Sequence, residues 1–105
     1  MLSPKLIQDI VAGQYGLARA QLLGRRRLPH IVLARHIAIL LCLEMLRGAS
    51  LPQVGRWFHR DHTSVLHARD AMRRKIAVDP KFAVEVEELR QIIIKAAEPA
   101  LIAAA

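Results

Sequence analysis

The sequence predicts an all-α protein built as one domain. Apolar residues recur at helical spacing along the chain, and Ser or Asp followed within two residues by Pro marks three helix starts. The chain has 105 residues, of which 53% are hydrophobic and 24% charged, a globular composition that supplies one core. We expect a single domain over residues 1–105, with an ordered core over about 3–97 and a frayed tail over 98–105.

The first three helices are predicted from caps, glycines and apolar spacing. Ser3 and Pro4 form an N-cap and first-turn pair, and two glycines end the first helix. A short second helix over about 17–23 leads towards three consecutive arginines. The third helix, over about 31–46, is apolar almost all round, which predicts the central core helix, and Gly48 is placed as its stop.

The last three helices are predicted from three further caps. The segment 50–53, SLPQ, fits a capping box for a short fourth helix that ends near Phe58, and Asp61 is the predicted N-cap of the fifth. Asp79 and Pro80 open the sixth helix. The predicted buried stripes of the last two helices are Val65, Ala68, Met72 and Ile76, and then Phe82, Val86, Leu89, Ile93 and Ala97.

The positive charge of the sequence is concentrated in its middle. Sixteen Lys and Arg against nine Asp and Glu give a formal net charge of +7. Residues 17–75 hold twelve of those bases and three of those acids, a balance of +9, whereas residues 76–105 carry three bases and five acids. A solvated surface mixes the signs more evenly, so this distribution predicts a basic face and a polyanionic partner.

Several classes of protein are excluded by what the sequence lacks. Its strongest apolar run, residues 37–43, is far shorter than the roughly 18 residues of a membrane span, and it has neither a secretory signal nor a phosphate-binding glycine motif. Cys42 is the single cysteine, and the five histidines lack the ligand spacing of a zinc module. We expect a cytoplasmic, nucleoid-associated protein that is not an enzyme and binds no membrane, nucleotide, cofactor or metal.

The fourth and fifth predicted helices, a short one and a longer one joined by a tight turn, form a helix-turn-helix pattern. In this motif the second helix enters the major groove with its N-terminal residues against base edges. Those residues are Asp61, His62, Thr63 and Ser64. A carboxylate accepts from cytosine N4, a threonine methyl meets the thymine methyl, and histidine donates or accepts. The pattern predicts sequence-specific binding of double-stranded DNA.

Residues 51–68, LPQVGRWFHRDHTSVLHA, resemble the signature of the C-terminal DNA-binding domain of the bacterial chromosomal replication initiator, the DnaA family. The resemblance extends over about residues 6–94. It implies a six-helix, Trp-repressor-like domain with a helix-turn-helix, which recognises the duplex motif called the DnaA box. The chain departs from the family where a single His59 replaces the usual two glycines, and where Ser64 replaces a second threonine.

The resemblance also implies which residues contact DNA. The predicted base-reading residues are Asp61, His62, Thr63 and Ser64. The predicted minor-groove and phosphate contacts are Arg25, Arg26, Arg27, Arg35, His36, Leu51, Pro52 and Arg60. Within this second set, Arg27 is expected to enter the adjacent minor groove, and Arg35 to contact the DNA backbone or a base.

The sequence leaves the biological role open. A transcription regulator, a competitor for initiator sites in replication control and a fragment of a full-length initiator all fit these residues. A ligand-responsive, Trp-repressor-like dimer, joined through its first and last helices, is a second class of reading. A protein-interaction adaptor that uses the mildly acidic last helix is a third.

Overall fold

Six α-helices form the fold of the computed structural model, which describes residues 1–98. They are α1 (Pro4–Gln14), α2 (Arg19–Leu23), α3 (Pro29–Met45), α4 (Leu51–Phe58), α5 (His62–Val78) and α6 (Pro80–Ala97). The prediction of an all-α fold with a helix-turn-helix is confirmed. Apart from Glu98, the predicted frayed tail lies outside the described residues. Within residues 1–98, no helix combines the length and the apolar character needed to cross a membrane.

Capping side chains account for the helix starts that the sequence predicts. Ser3 and Asp61 each accept a hydrogen bond from the backbone amide three residues further on, at 3.1 and 2.8 Å. Asp79 does the same at the start of α6, at 3.2 Å. Ser50 and Gln53 form both bonds of the predicted capping box. Because each cap satisfies amides that have no partner inside the helix, these boundaries follow from local sequence.

Two helix starts differ from the prediction. α2 begins at Arg19 rather than near residue 17, because the Leu17 amide donates back to the Ala12 carbonyl at 2.9 Å and closes the end of α1. α3 begins at Pro29, two residues earlier than predicted. A proline fits the first helical position because its missing amide would have no partner there.

α3 is the central helix of the domain. α1, α2, α4 and α5 all pack against it, and its side chains Ile37, Leu40 and Leu41 are buried. α6 packs against α1 and α5 at the edge of this core. The predicted buried stripes of α5 and α6 are confirmed except at their last positions, where Ile76 and Ala97 are only partly buried.

A close backbone approach fixes the turn between α4 and α5. The Arg60 amide donates to the Gly55 carbonyl at 2.8 Å, and a Cβ on Gly55 would lie 2.4 Å from the Arg60 carbonyl oxygen. His59 lies in the left-handed region with φ of 57°, a conformation that glycine adopts more readily. These two residues set the angle at which α5 leaves α4.

Candidate nucleic-acid interface

The first turn of α5, with its cap, presents a row of exposed polar side chains. Asp61, His62, Thr63 and Ser64 are all exposed. The hydrogen bond from the Ser64 amide is the main cause that lowers the pKa of Asp61, so this carboxylate is ionised at neutral pH. The turn therefore offers an acceptor, an imidazole, two hydroxyls and a methyl group to a ligand outside the protein.

A cleft of about 860 Å³ lies beside this turn. We call it the basic cleft, and we call residues 24–28, which join α2 to α3, the basic loop. The cationic or titratable residues that line the cleft are Arg25, Arg27, Arg35, His36, His59 and Arg60. Ser64 lines it from the first turn of α5, and Val32 and Ile39 line it from α3. Among the described residues that line the cleft, none is acidic.

The like charges around the cleft perturb one another. Burial and then the neighbouring Arg60 and Arg27 lower the pKa of Arg35. Burial followed by Arg25 and Arg27 does the same to the pKa of Arg60. Because a guanidinium group stays protonated in proteins, these groups keep their charge and the cleft stays positive. Such a site attracts a polyanion.

The basic cleft also lowers the pKa of His36. Burial, followed by the charges of Arg35 and Arg60, lowers its pKa below the usual value, so its neutral form is favoured in the free protein.

Across residues 1–98, no three His, Cys, Asp or Glu side chains come together as metal ligands would.

Two of the cleft arginines are bonded to backbone carbonyls inside the protein. Arg35 is only 4% exposed, and its Nε donates to the Leu22 carbonyl at 2.6 Å. Arg60 donates through Nη2 to the Gly24 carbonyl at 2.5 Å. The structure turns the Arg35 guanidinium towards the protein, although the residue lines the cleft. Its contact with DNA stays a prediction.

The other predicted contacts fall into three places. Arg25 and Arg27 are exposed in the basic loop and line the cleft, as the partly buried His36 does from α3. Arg26 lines a separate depression together with Gln21 and Ile31. At the first turn of α4, Pro52 is exposed and Leu51 is partly buried, and neither lines the cleft.

His59 is absent from the predicted contacts, yet it lines the cleft. The signal for it is the departure from the family pattern, because one histidine stands where two glycines are usual. A residue that replaces glycine in a tight turn brings a side chain to a place where the family has none.

The fold and the cleft define the class of the protein. A short helix and a longer one, joined by a tight turn, carry exposed polar residues at the start of the second and a cationic cleft beside them. This is the arrangement of a helix-turn-helix DNA-binding protein.

Comparison with known families names the family within that class. The family described as bacterial dnaA protein helix-turn-helix matches residues 4–72, which include α1 to α4 and most of α5. The chain belongs to this family, and the resemblance seen in the sequence is confirmed.

Similar proteins carry the name chromosomal replication initiator protein DnaA. The chain is 40% identical over 88 residues to the protein from Lactobacillus helveticus and 42% identical over 88 residues to the one from Brucella abortus, which is 83% of this chain in both cases. It is 37% identical over 95 residues, or 90% of this chain, to the protein from Pelobacter propionicus. The matched region spans 19%, 18% and 21% of these three relatives.

Proposed function

We propose that this chain binds double-stranded DNA sequence-specifically at a DnaA-box-like site, in replication-initiation control or transcription regulation. One observation carries the proposal: the basic cleft lies directly beside the exposed first turn of α5. Membership of the family supports DNA binding in replication initiation. The chain acts by binding and not by catalysis, and its place in the cell is the nucleoid.

In the proposed complex, the first turn of α5 enters the major groove. Asp61 accepts from cytosine N4 while it caps the helix, His62 donates or accepts, and Thr63 presents its methyl to thymine. The N-terminus of α5 offsets part of the negative charge of Asp61 and so reduces its repulsion from phosphates. Ser64, at the wall of the cleft, contacts a base or the adjacent phosphate.

The basic loop contacts the DNA on the other side of the cleft. Arg27 enters the adjacent minor groove, whose negative potential attracts arginine. Arg25 and Arg26 neutralise phosphates, and the uncharged Leu51 and Pro52 at the first turn of α4 approach the phosphate backbone closely. Affinity then comes mainly from phosphates, and sequence preference comes from the first turn of α5.

The proposal covers site recognition alone. The chain spans about a fifth of the length of the relatives it matches, so the activity of a whole initiator does not follow from this similarity. A free-standing regulator and a piece of a longer initiator use the same DNA-reading surface.

A binding titration at two salt concentrations tests the proposal. We expect the chain to prefer a duplex that carries a DnaA box over a duplex of identical composition with the box shuffled. Affinity for both should fall steeply with salt, because bound cations on DNA are released when arginines replace them. Equal affinity for the two duplexes would refute sequence reading, and no binding at low salt would refute the whole assignment.

The two alternative functions, a protein-interaction adaptor and a ligand-responsive dimer, are tested by different measurements. α6 exposes Val84 and Ile92 at 57% and 39%, beside Glu87 and Glu88, which is the observation that favours docking of a partner protein. Sedimentation velocity tests the ligand-responsive dimer: a monomer at every concentration removes it. If a Val84→Lys variant lost the preference for the box duplex, a function of α6 would be favoured over the proposed DNA recognition by the first turn of α5.

A further inference from the structure

We propose that Arg35 and Arg60 form an arginine clamp that positions the basic loop for DNA, rather than contacting DNA as recognition groups. By arginine clamp we mean these two side chains and the backbone carbonyls they bind. The inference rests on the proposed DNA-binding function and adds two positioning residues to it. It also gives Arg35 a role that its burial permits.

Arg35 holds the basic loop from the α3 side. Its Nε donates to the Leu22 carbonyl at 2.6 Å, and its Nη2 lies 3.0 Å from the Gly24 carbonyl and 3.2 Å from those of Gln21 and Arg26. Gln21 and Leu22 lie in the last turn of α2, where helical carbonyls lack intrahelical partners. One buried guanidinium therefore satisfies the end of a helix and the start of the loop together.

Arg60 holds the same loop from the α4–α5 turn. Its Nη2 donates to the Gly24 carbonyl at 2.5 Å, and its Nη1 donates to the Phe58 carbonyl at 2.7 Å. Gly24 is thus shared by both arginines. Because Arg60 directly precedes Asp61, the N-cap of α5, the clamp joins the basic loop to the start of the recognition helix.

The clamp uses carbonyl oxygens where other arginines of this chain use acids. None of the salt bridges within residues 1–98 includes Arg35 or Arg60. Backbone carbonyls satisfy the donors without cancelling the charge, so both cations still contribute to the potential of the cleft. A carboxylate in place of these carbonyls would also hold the two guanidinium groups, but it would weaken the attraction of the cleft for phosphate.

The chemistry of the clamp requires arginine rather than any cation. A guanidinium presents five N–H donors in a planar fork, whereas an ammonium is a single point charge. Lysine at position 35 keeps the charge, yet its one nitrogen cannot occupy the positions of both Nε, which donates to the Leu22 carbonyl, and Nη2, which donates to the carbonyls around Gly24. The Arg35→Lys variant therefore separates positioning from charge.

The test combines NMR order parameters of the backbone, which report the mobility of the basic loop, with a double-mutant cycle of DNA affinity. In Arg35→Lys we expect lower order parameters at residues 24–28 in the free protein and a fall in affinity for the box duplex of about tenfold, since the loop must be ordered on binding. In a background with all three loop arginines changed to alanine, the same substitution should cost less than about twofold, because the loop no longer contributes. Arg90→Lys, at an arginine paired with acids outside the cleft, is the matched control and should leave both measurements unchanged.

The outcomes separate the clamp from the proposed function. Wild-type affinity or unchanged order parameters of the loop in Arg35→Lys would overturn the clamp. An equal loss of affinity in the loop-alanine background would overturn it as well, because that result indicates direct contact. If circular dichroism shows that Arg35→Lys is unfolded, Arg60→Lys is measured in the same way, with the same expected results. If the wild type binds no DNA, the proposed function fails, while the order parameters of the loop in the free protein still decide the clamp.

Discussion

Two regions of this molecule treat arginine in opposite ways. At the basic cleft, Arg35 and Arg60 donate to backbone carbonyls. On α6, Arg90 bridges Glu44 at 2.7 Å and also pairs with Glu87. Burial lowers the pKa of Arg90, but its bonds to the two glutamates outweigh burial and raise it overall, whereas the pKa of Arg35 is lowered.

The difference teaches how one small domain keeps a stable fold and a charged binding face. Acids cancel the charge on α6, so this helix contributes to packing and adds little to the electrostatic potential of the surface. Carbonyls leave the charge in the cleft uncancelled, at the cost of repulsion among neighbouring arginines. The sequence carries the same division, since residues 17–75 have a balance of +9 and the acids cluster after them.

Disruption of the turn that carries Arg60 should have the largest effect, because this turn holds one of the two cleft arginines that are compared with Arg90. In Gly55→Ala the new Cβ meets the Arg60 carbonyl at 2.4 Å, and we expect a loss of about 3 kcal/mol in the free energy of unfolding. DNA affinity should fall with it, because the clamp and the cap of α5 move together. Urea unfolding measures the loss.

Gly13→Ala is the control: Gly13 lies in α1 with nothing within 4 Å of its Cβ position, so alanine should stabilise by up to about 1 kcal/mol. Equal effects of the two variants would contradict the account.

The next largest effect separates base reading from phosphate contact. His62→Ala should weaken binding to the box duplex by about 2 kcal/mol and leave the shuffled duplex nearly unaffected. Arg25→Ala should weaken both duplexes alike and reduce the slope of log affinity against log salt by about 0.9. Fluorescence anisotropy at several salt concentrations measures both. A uniform loss in the His62 variant would show that this side chain does not read bases.

Removal of the acid-paired arginine should have a smaller effect and only on stability. Arg90→Gln breaks partly exposed ion pairs with Glu44 and Glu87, so we expect at most about 1 kcal/mol of lost unfolding free energy. DNA affinity should stay at the wild-type value. Thermal unfolding and the duplex titration check the two halves of this prediction, and weakened DNA binding would contradict the division between the regions.

The smallest expected effect is a pH dependence that originates at His36. Its pKa in the folded protein lies below the unfolded value, so stability is greatest above about pH 6.5 and falls as the unfolded chain takes up the proton. Bound phosphate opposes the arginine charges and favours the protonated imidazole. Affinity for DNA should therefore rise about two- to threefold between pH 7 and pH 6. Titrations at both pH values test this, and a profile that survives in His36→Gln would assign it to another group.

Local signals made much of the fold predictable. Caps at Ser3, Ser50, Asp61 and Asp79 depend on bonds to residues three positions away, so sequence alone places them. The burial of Arg35 depends instead on carbonyls 9 to 14 residues away, which only the packing of α2 on α3 brings near. One sequence signal was available: a lone arginine in a helix that is apolar almost all round must find buried acceptors.

The turn shows a second limit of prediction. The helix-turn-helix pattern indicates a tight connection after Phe58, but not that His59 takes the left-handed conformation or that its side chain reaches the cleft. Both depend on the contact between Gly55 and the Arg60 backbone. Contact by each predicted DNA-binding residue stays a prediction that the variants above address.

Amide chemical-shift mapping of the full chain with a box duplex tests the central claim most directly. The account predicts that the largest changes cluster at residues 24–28 and 59–67, while residues 80–97 of α6 shift little. Changes centred on α6, or the same pattern and size with the shuffled duplex as with the box, would contradict it.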